Sequence, residues 1–272
     1  MADSNHENDS ANRNQAVLLS LCGLSPAVVS ETVWALARET PPTRIDKVVV
    51  LTTAQGRAAI ERELFDGGAW QRLRSALQAD SREMRFGRSG DFLRVIPEDG
   101  GCEMTDVATS DDSLAAADFL LESLRQFTEN PDTRVVFSIA GGRKTMSALA
   151  ALCMTLLARP QDRLCHVLVN PPFDTFDLQP KFYFPEAGLE HTYQGSRLPS
   201  AMAKIYLHDI PYVRCREVFR REYARLPGNF LDTVRLANRN LSPLSIEIKP
   251  HQYQCLVNRE RLLLSPAEFT FY

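Results

Sequence analysis

The sequence has no long apolar run and few of the residue patterns that hold metals. No stretch approaches the roughly 18 consecutive apolar residues that a membrane span needs, so we expect no membrane segment. The six cysteines form no C-x-x-C pair and the five histidines form no H-x-x-x-H pair, which argues against a zinc site. Scattered cysteines within apolar runs are typical of reduced core thiols, so we expect a cytoplasmic protein without a metal.

The net charge and the N-terminal segment exclude further classes of protein. A net charge of -3 disfavours a protein that coats long nucleic acid, although a local basic pocket remains open. Residues 1–15 are rich in Asn, Asp and Ser and resemble neither a signal peptide nor a transit peptide, so we expect a disordered tail. With 44% hydrophobic residues in 272 positions, the chain can build one large domain, or one domain with a smaller appendage.

Short apolar runs alternate with helical patterns along most of the chain. The runs that we predict to be strands are 16–20, 47–51, 92–96, 134–138, 163–169 and, at an edge, 181–184. Helices are predicted between them, the first beginning with Ser25 as N-cap and Pro26 in the first turn. The repeated order of strand, glycine-containing turn and helix predicts an α/β fold whose mostly parallel sheet is covered by helices.

From about residue 200 the pattern changes. We predict a charged helix around 214–225, a helix over 229–240 and short antiparallel strands at 244–248 and 254–257. Ser265, Pro266 and Glu268 have the spacing of a capping box at the start of a further helix. The sequence therefore predicts a domain over 16–200 and a small α+β extension over 201–272, and we expect the native polypeptide to continue into a further module.

The segment Ser138–Thr145 lies between a predicted strand and a predicted helix. Backbone N–H groups at a helix N-terminus lack intrahelical partners, and the helix dipole places positive charge there. The turn adds small residues, two cations and a hydroxyl: Ala140, Gly141, Gly142, Arg143, Lys144 and Thr145. These features predict a phosphate site. The competing interpretation is that the glycines serve helix–sheet packing and that both cations are solvated.

Two familiar phosphate-binding motifs do not fit this spacing. A P-loop needs G-x-x-x-x-G-K-[ST], whereas Arg143 separates Gly142 from Lys144 and the upstream glycine is absent. The dinucleotide fingerprint G-x-G-x-x-G is missing after the first strand, where Gly23 stands alone. An ATPase or a dehydrogenase is therefore disfavoured.

Hydroxyl side chains follow the first two predicted strands. Ser20 and Ser25 flank the loop after the first strand, and Thr53 follows the second. Because ligands of open α/β sheets bind at the carboxyl ends of the strands, these three residues are candidate contacts to ribose, base or phosphate. Capping of the following helix is an equally good interpretation of Ser25.

Several of these segments occur together in one known family. They are Ser20–Pro26, Glu31–Thr32, Ser138–Met146, Asp162–Val169 and Ile210–Arg216. Together they resemble the CRISPR-associated Rossmann-fold (CARF) proteins of type III CRISPR systems, in the ring-nuclease branch. The resemblance implies a Rossmann-like domain with helices on both faces, a homodimer, and a cyclic oligoadenylate ligand, most commonly the four-membered ring.

The same resemblance implies cleavage of that ring by a ribose 2′-hydroxyl, without metal or cofactor. Lys144 and Arg143 would stabilise charge on the phosphorane, and Ser20 or Ser25 would position the ribose or the scissile phosphate. Gly23, Thr53 and the turn residues 140–142 and 145 would bind the ligand. The alternative is a sensor that binds the ring without cutting it and passes the signal to a C-terminal effector or to DNA. The end of the chain resembles the entry to a winged helix without its recognition helix, so we expect this chain not to bind long nucleic acid.

Overall fold

The computed structural model describes residues 15–98, 100–219, 228–241, 245–257 and 260–270, so the predicted tail lies outside it except for Gln15. The strands are β1 (Gln15–Leu21), β2 (Lys47–Thr52), β3 (Leu93–Val95), β4 (Thr133–Ser138), β5 (Arg163–Val169), β6 (Glu190–Tyr193), β7 (Ser196–Pro199), β8 (Ile205–Asp209), β9 (Ile246–Lys249), β10 (Gln254–Val257) and β11 (Glu260–Leu262). The helices are α1 (Ala27–Ala37), α2 (Ala54–Ile60), α3 (Ala69–Ala76), α4 (Ser110–Thr128), α5 (Lys144–Leu157), α6 (Phe230–Leu241) and α7 (Pro266–Thr270). A π-helical segment, Glu61–Asp66, continues α2.

Six strands form the main sheet in the order β3-β2-β1-β4-β5-β8. The first five are parallel and β8 is antiparallel to β5. In the centre, Leu18 of β1 lies opposite Val48 of β2 on one side and Val136 of β4 on the other. The order of the chain reverses between β1 and β4, so the loops that leave these two strands diverge to opposite faces and leave a crevice between them.

Alternate side chains of the central strands enter two separate cores, because successive residues of a strand point to opposite faces. Leu18 and Val50 pack on the face covered by α1, α2 with its π-helical continuation, and α3. Leu19 and Val135 pack on the face covered by α4, α5 and α6. The predicted α/β fold, with a mostly parallel sheet and helices on both faces, is confirmed. Within the described residues, no helix is long and apolar enough to cross a membrane.

The predicted edge strand 181–184 is wrong, and β8 takes the place of an edge strand beside β5. Residues 181–184 lie in an irregular loop in which Phe182 and Phe184 are buried. Lys181 and Tyr183, which alternate with them, both donate to the Glu63 carboxylate, at 2.7 and 3.1 Å. Apolar and polar side chains therefore do alternate in this segment. The apolar ones pack in the core and the polar ones bind Glu63, although the backbone forms no strand.

The predicted N-cap of α1 is also wrong. The helix begins at Ala27 with Pro26 itself at the N-cap, and no side chain caps it. The ring of proline fixes φ near -65°, and Pro26 adopts φ -67° and ψ -14°, which is already helical. Ser25 is thus one residue too early to cap the helix.

The C-terminal elements agree with the sequence where they are described. Helix α6 and the antiparallel strands β9 and β10 are confirmed, and β11 adds a third strand. The capping box at the start of α7 is formed, since Ser265 N–H donates to Glu268 and Glu268 N–H donates to the Ser265 hydroxyl. Of the charged helix predicted over 214–225, a 3-10 turn occupies Arg216–Phe219, and residues 220–225 lie outside the described part. Strand β8 belongs to the main sheet although it follows residue 200.

A buried ion pair connects β4 and β5 at the end of the sheet where β5 begins. Asp162 is fully buried, accepts from the Arg159 guanidinium at 2.9 Å, and also accepts from the backbone N–H of Val135 at 2.9 Å. Arg159 in turn donates to the carbonyl of Thr133 at 2.6 Å. The Tyr212 hydroxyl donates to the Asp162 carbonyl at 3.0 Å. Two of the segments that carry the family resemblance, 162–169 and 210–216, therefore contact each other at the amino end of β5.

Replacing Asp162 tests how much this ion pair contributes to stability. Asp162→Ala leaves the buried Arg159 guanidinium and the Val135 N–H without their acceptor, so we expect a loss of about 3–5 kcal/mol in the free energy of unfolding. Urea denaturation measures it. The matched control is Asp177→Ala, because Asp177 is exposed, and it should change stability by less than about 0.5 kcal/mol. Equal stability of the two variants would contradict the role of the ion pair.

Candidate functional site

A pocket lies at the carboxyl ends of β1 and β4, where the two diverging loops face each other. Its volume is about 330 Å³. Seven of the residues predicted from the sequence line it: Gly23, Ser25, Thr53, Ala140, Gly141, Gly142 and Arg143. A larger cavity, of about 430 Å³, lies between the end of α1 and the end of α3, and none of the predicted site residues lines it. Most of the predicted site residues therefore lie at the smaller pocket, at the switch point of the sheet.

The two loops touch through their backbones. A Cβ at Gly141 would lie 2.4 Å from the Leu21 carbonyl oxygen and 2.9 Å from the Cys22 Cα, so a side chain cannot be placed there. Gly142 has φ +78°, a left-handed conformation that favours glycine, and lies against Gly23. These glycines therefore do serve packing, which was one of the two interpretations of the sequence. This packing also brings the loop after β1 and the turn before α5 to one pocket.

The loop after β1 is held from the neighbouring strand as well. The Thr52 hydroxyl donates to the Cys22 carbonyl at 2.7 Å, and the Cys22 N–H donates to the Leu51 carbonyl at 3.2 Å. Thr53, which follows, accepts from Gly56 N–H at 3.3 Å and so caps α2. Hydrogen bonds therefore hold the pocket residues Cys22 and Thr53 against β2 and the start of α2.

Arg143 is paired with a carboxylate and is also exposed to solvent. Its Nε donates to Asp106 Oδ1 at 2.9 Å, and its Nη2 donates to the other carboxylate oxygen. This bidentate pair holds the pKa of the Asp106 carboxyl below its usual value. Because the Arg143 side chain remains 58% exposed, an incoming anion at the pocket can reach it, in competition with Asp106. Asp106 also lines the pocket, and sequence reasoning missed it.

Three predicted site residues are not among those that line the pocket. Lys144 and Thr145 are exposed in the first turn of α5, next to Arg143. Ser20 is fully buried, and its hydroxyl donates to the Leu21 carbonyl at 3.3 Å. Strand β1 extends one residue further than predicted, to Leu21, which leaves Ser20 inside the sheet.

Burial favours the neutral forms of the Cys22 thiol and of the Glu31 carboxyl in α1. Burial raises the pKa of the Cys22 thiol to about 12, so this pocket residue is not a thiolate nucleophile at neutral pH. Burial also raises the pKa of Glu31 to about 8, although Lys181 opposes part of the rise. Among the described residues, no group of three or more His, Cys, Asp or Glu side chains is placed to hold a metal ion.

Two exposed apolar side chains stand at the pocket and were not predicted. Leu24 is 62% exposed and Phe176 is 76% exposed, and both line the pocket. Leu24 lies within the loop that the sequence singled out. Phe176 follows β5, and the rule that ligands bind at the carboxyl ends of parallel strands could have drawn attention to it. The pocket is therefore lined by the backbone of the glycine turn, by a cation and by apolar side chains.

A methyl group at Gly141 tests the contact between the loops. In Gly141→Ala the new Cβ meets the Leu21 carbonyl, so we expect a loss of about 1–3 kcal/mol in the free energy of unfolding. Gly90→Ala is the matched control, because a Cβ there meets nothing within 4 Å, and its stability should stay within about 0.5 kcal/mol. Thermal and urea unfolding of the two variants compare them. A Gly141→Ala protein as stable as the control would show that the loops do not need this approach.

Residues 25–234 match a family model described as CRISPR-associated protein NE0113 (Cas_NE0113). No curated protein gives a significant match. A solved structure of Csm6 from Enterococcus italicus, bound to cyclic hexa-2′-fluoro-hexa-dAMP, is similar with 13% sequence identity and a TM-score of 0.44. The similarity covers 79% of this chain and 47% of the Csm6 chain, so the chain spans about half the length of that relative.

Proposed function

This chain belongs to the family of CRISPR-associated protein NE0113, and on that premise we propose that it is a ring nuclease that binds and opens cyclic oligoadenylate. The family match confirms the CRISPR-associated identity expected from the sequence motifs. The ligand, the reaction, the dimer and a cytoplasmic location are our proposal. They are supported by the sequence resemblance and by the chemistry of the pocket.

The observation that carries the proposal is the contact between the two glycine-containing loops at the switch point. This contact sets the N-terminus of α5 at the edge of the pocket, where the first N–H groups of a helix lack intrahelical partners and favour an anion. Arg143 adds a guanidinium that is suited to a phosphate. A phosphodiester is therefore a fitting ligand group at this position.

The size of the pocket supports a dimer. About 330 Å³ is at the lower end of the range for small-ligand sites, roughly 300–1,000 Å³. A ring of four nucleotides is several times larger than a ligand that such a pocket encloses. A two-fold axis that sets two copies of the pocket side by side would match a symmetric ring, as isologous interfaces do.

The reaction that we propose needs no nucleophile from the protein. The ribose 2′-oxygen attacks the adjacent phosphorus and loses its proton, the bond from phosphorus to the 5′-oxygen breaks, and that oxygen takes up a proton. The ring opens to a linear product with a 2′,3′-cyclic phosphate. Lys144 and Arg143 stabilise the charge on the phosphorane, and Ser25 positions the ribose. Ser20, buried in β1, would act only by supporting the loop.

One observation favours a second candidate, a sensor that holds the ring without cutting it. Arg143 is already engaged by Asp106, and Lys144 does not line the pocket. The two cations are thus not assembled around a single point in one copy of the chain. A protein that only binds the ring would need no such assembly, and it could pass the signal to a module beyond α7.

A cleavage assay in EDTA separates the two candidates. The wild-type protein is incubated with cyclic tetra-adenylate and the products are identified by mass spectrometry. We expect the linear product with its 2′,3′-cyclic phosphate, formed without divalent metal. Lys144→Ala should slow cleavage by about 100-fold or more, because a donor to the transition-state charge is removed. Lys249→Ala, which removes a half-buried cation from the C-terminal sheet, should not.

The other outcomes are equally informative. An intact ring after long incubation with excess protein, together with tight binding, would support the sensor. A ring that is neither bound nor cut would overturn both candidates. Unaltered cleavage by Lys144→Ala would remove Lys144 from the catalytic role.

A further inference from the structure

The loop between β5 and β6 presents one aromatic side chain differently from the others. Its phenylalanines are Phe173, Phe176, Phe182 and Phe184. Three of them are buried, with 4%, 2% and 1% of their surface exposed for Phe173, Phe182 and Phe184. Phe176 is 76% exposed and lines the pocket at the glycine turn. The loop therefore has an apolar core of its own and directs one ring out of it.

Short anchors on both sides fix the position of this ring. Phe173 packs against Phe182 with ring centroids 5.4 Å apart, and Leu178 is fully buried. Between these anchors the chain turns tightly, since the N–H and the hydroxyl of Thr175 both donate to the Pro172 carbonyl, at 3.1 and 2.8 Å. Only residues 174–177 separate the two anchors. A short, anchored turn limits how far the ring of Phe176 can move.

An ionic contact ties the same loop to the helical layer. Lys181 Nζ lies 2.7 Å from Glu63 Oε2, and the Tyr183 hydroxyl donates to the same oxygen at 3.1 Å. The Lys181 ammonium is also 5.9 Å from the centroid of the Phe176 ring. Although burial raises the pKa of Glu63, the hydrogen bonds from Lys181 and its neighbours lower it overall, so the contact is charged at neutral pH. The loop is thus held beside the pocket rather than hinged away from it.

The rest of the pocket defines what the exposed ring can meet. Leu24 and Val28 contribute further apolar surface, and Met146 lies buried beside Gly142. Arg143 and the backbone of the glycine turn provide the part that suits an anion. A ligand that fills both parts has a flat apolar group joined to a phosphate. Nucleotides have this form, and stacking of a base on an aromatic side chain is a common way to hold single-stranded nucleic acid.

We propose that Phe176 is a stacking platform for an adenine base of the bound oligoadenylate and selects for purine rings over pyrimidine rings. The base rests on the face of Phe176 while a neighbouring phosphate lies at the N-terminus of α5. This assignment rests on the proposed function of the site. Stacking reads the size of the ring system rather than its hydrogen-bonding edge, so the discrimination follows the stacking area of the base.

Calorimetric titration of three variants with cyclic tetra-adenylate tests the assignment. Phe176→Ala should weaken binding by about tenfold or more, because a stacking partner is lost, and Phe176→Trp should bind within about threefold of wild type. Tyr253→Ala is the control, since Tyr253 is 74% exposed and belongs to the C-terminal segment that does not line the pocket. Wild-type protein should prefer cyclic tetra-adenylate to cyclic tetra-uridylate, and Phe176→Ala should reduce that preference.

The outcomes distinguish this assignment from the function on which it rests. If the wild-type protein binds neither ring, the proposed function fails. If it binds the adenylate ring and Phe176→Ala binds it equally well, the function stands and the platform is overturned. Because Phe176 is exposed, the variant should unfold at the wild-type temperature, which shows that a loss of binding is not a loss of folding. In a cleavage assay, the same substitution should raise KM more than it lowers kcat.

Discussion

The site depends on one steric constraint, the backbone contact between Gly141 and the end of β1. The Leu21 carbonyl and the Cys22 Cα occupy the space that any side chain at position 141 would need. The contact lies where the loops after β1 and β4 leave adjacent parallel strands, at the point where the strand order reverses. The glycine pair is therefore first a packing device. Its consequence for function is that the N-terminus of α5 faces the loop after β1.

Charge at the pocket is balanced before any ligand arrives. The Arg143 guanidinium donates from Nε and Nη2 to the Asp106 carboxylate, and its side chain stays 58% exposed beside the pocket. A phosphate that binds at the helix N-terminus would replace Asp106 as the bidentate partner of Arg143. The net gain in binding free energy is therefore smaller than at a cation that has no partner. Selectivity must then come from elsewhere in the pocket. The apolar side chains Leu24 and Phe176 supply surface for it.

The fold could be predicted because buried parallel strands form nearly continuous apolar runs, which the segments 16–20, 47–51 and 134–138 show clearly. Residues 181–184 have the alternation of a strand, yet their aromatic side chains are buried by a loop, a tertiary effect that the local pattern does not contain. The prediction of Ser20 as a site residue depends on a strand that ends at residue 20, whereas β1 continues to Leu21. Asp106 and Phe176 lie in irregular segments, and only the folded chain brings them to the glycine turn.

We propose that the glycine turn binds a phosphodiester of cyclic oligoadenylate. The most direct measurement is a crystal structure of the protein with cyclic tetra-adenylate that carries no 2′-hydroxyl, so that the proposed nucleophile is absent and the ring stays closed. We expect a phosphate oxygen within about 3.2 Å of the N–H groups at the start of α5, with Arg143 turned from Asp106 to the phosphate. A ring bound elsewhere, with Arg143 still paired to Asp106, would contradict it.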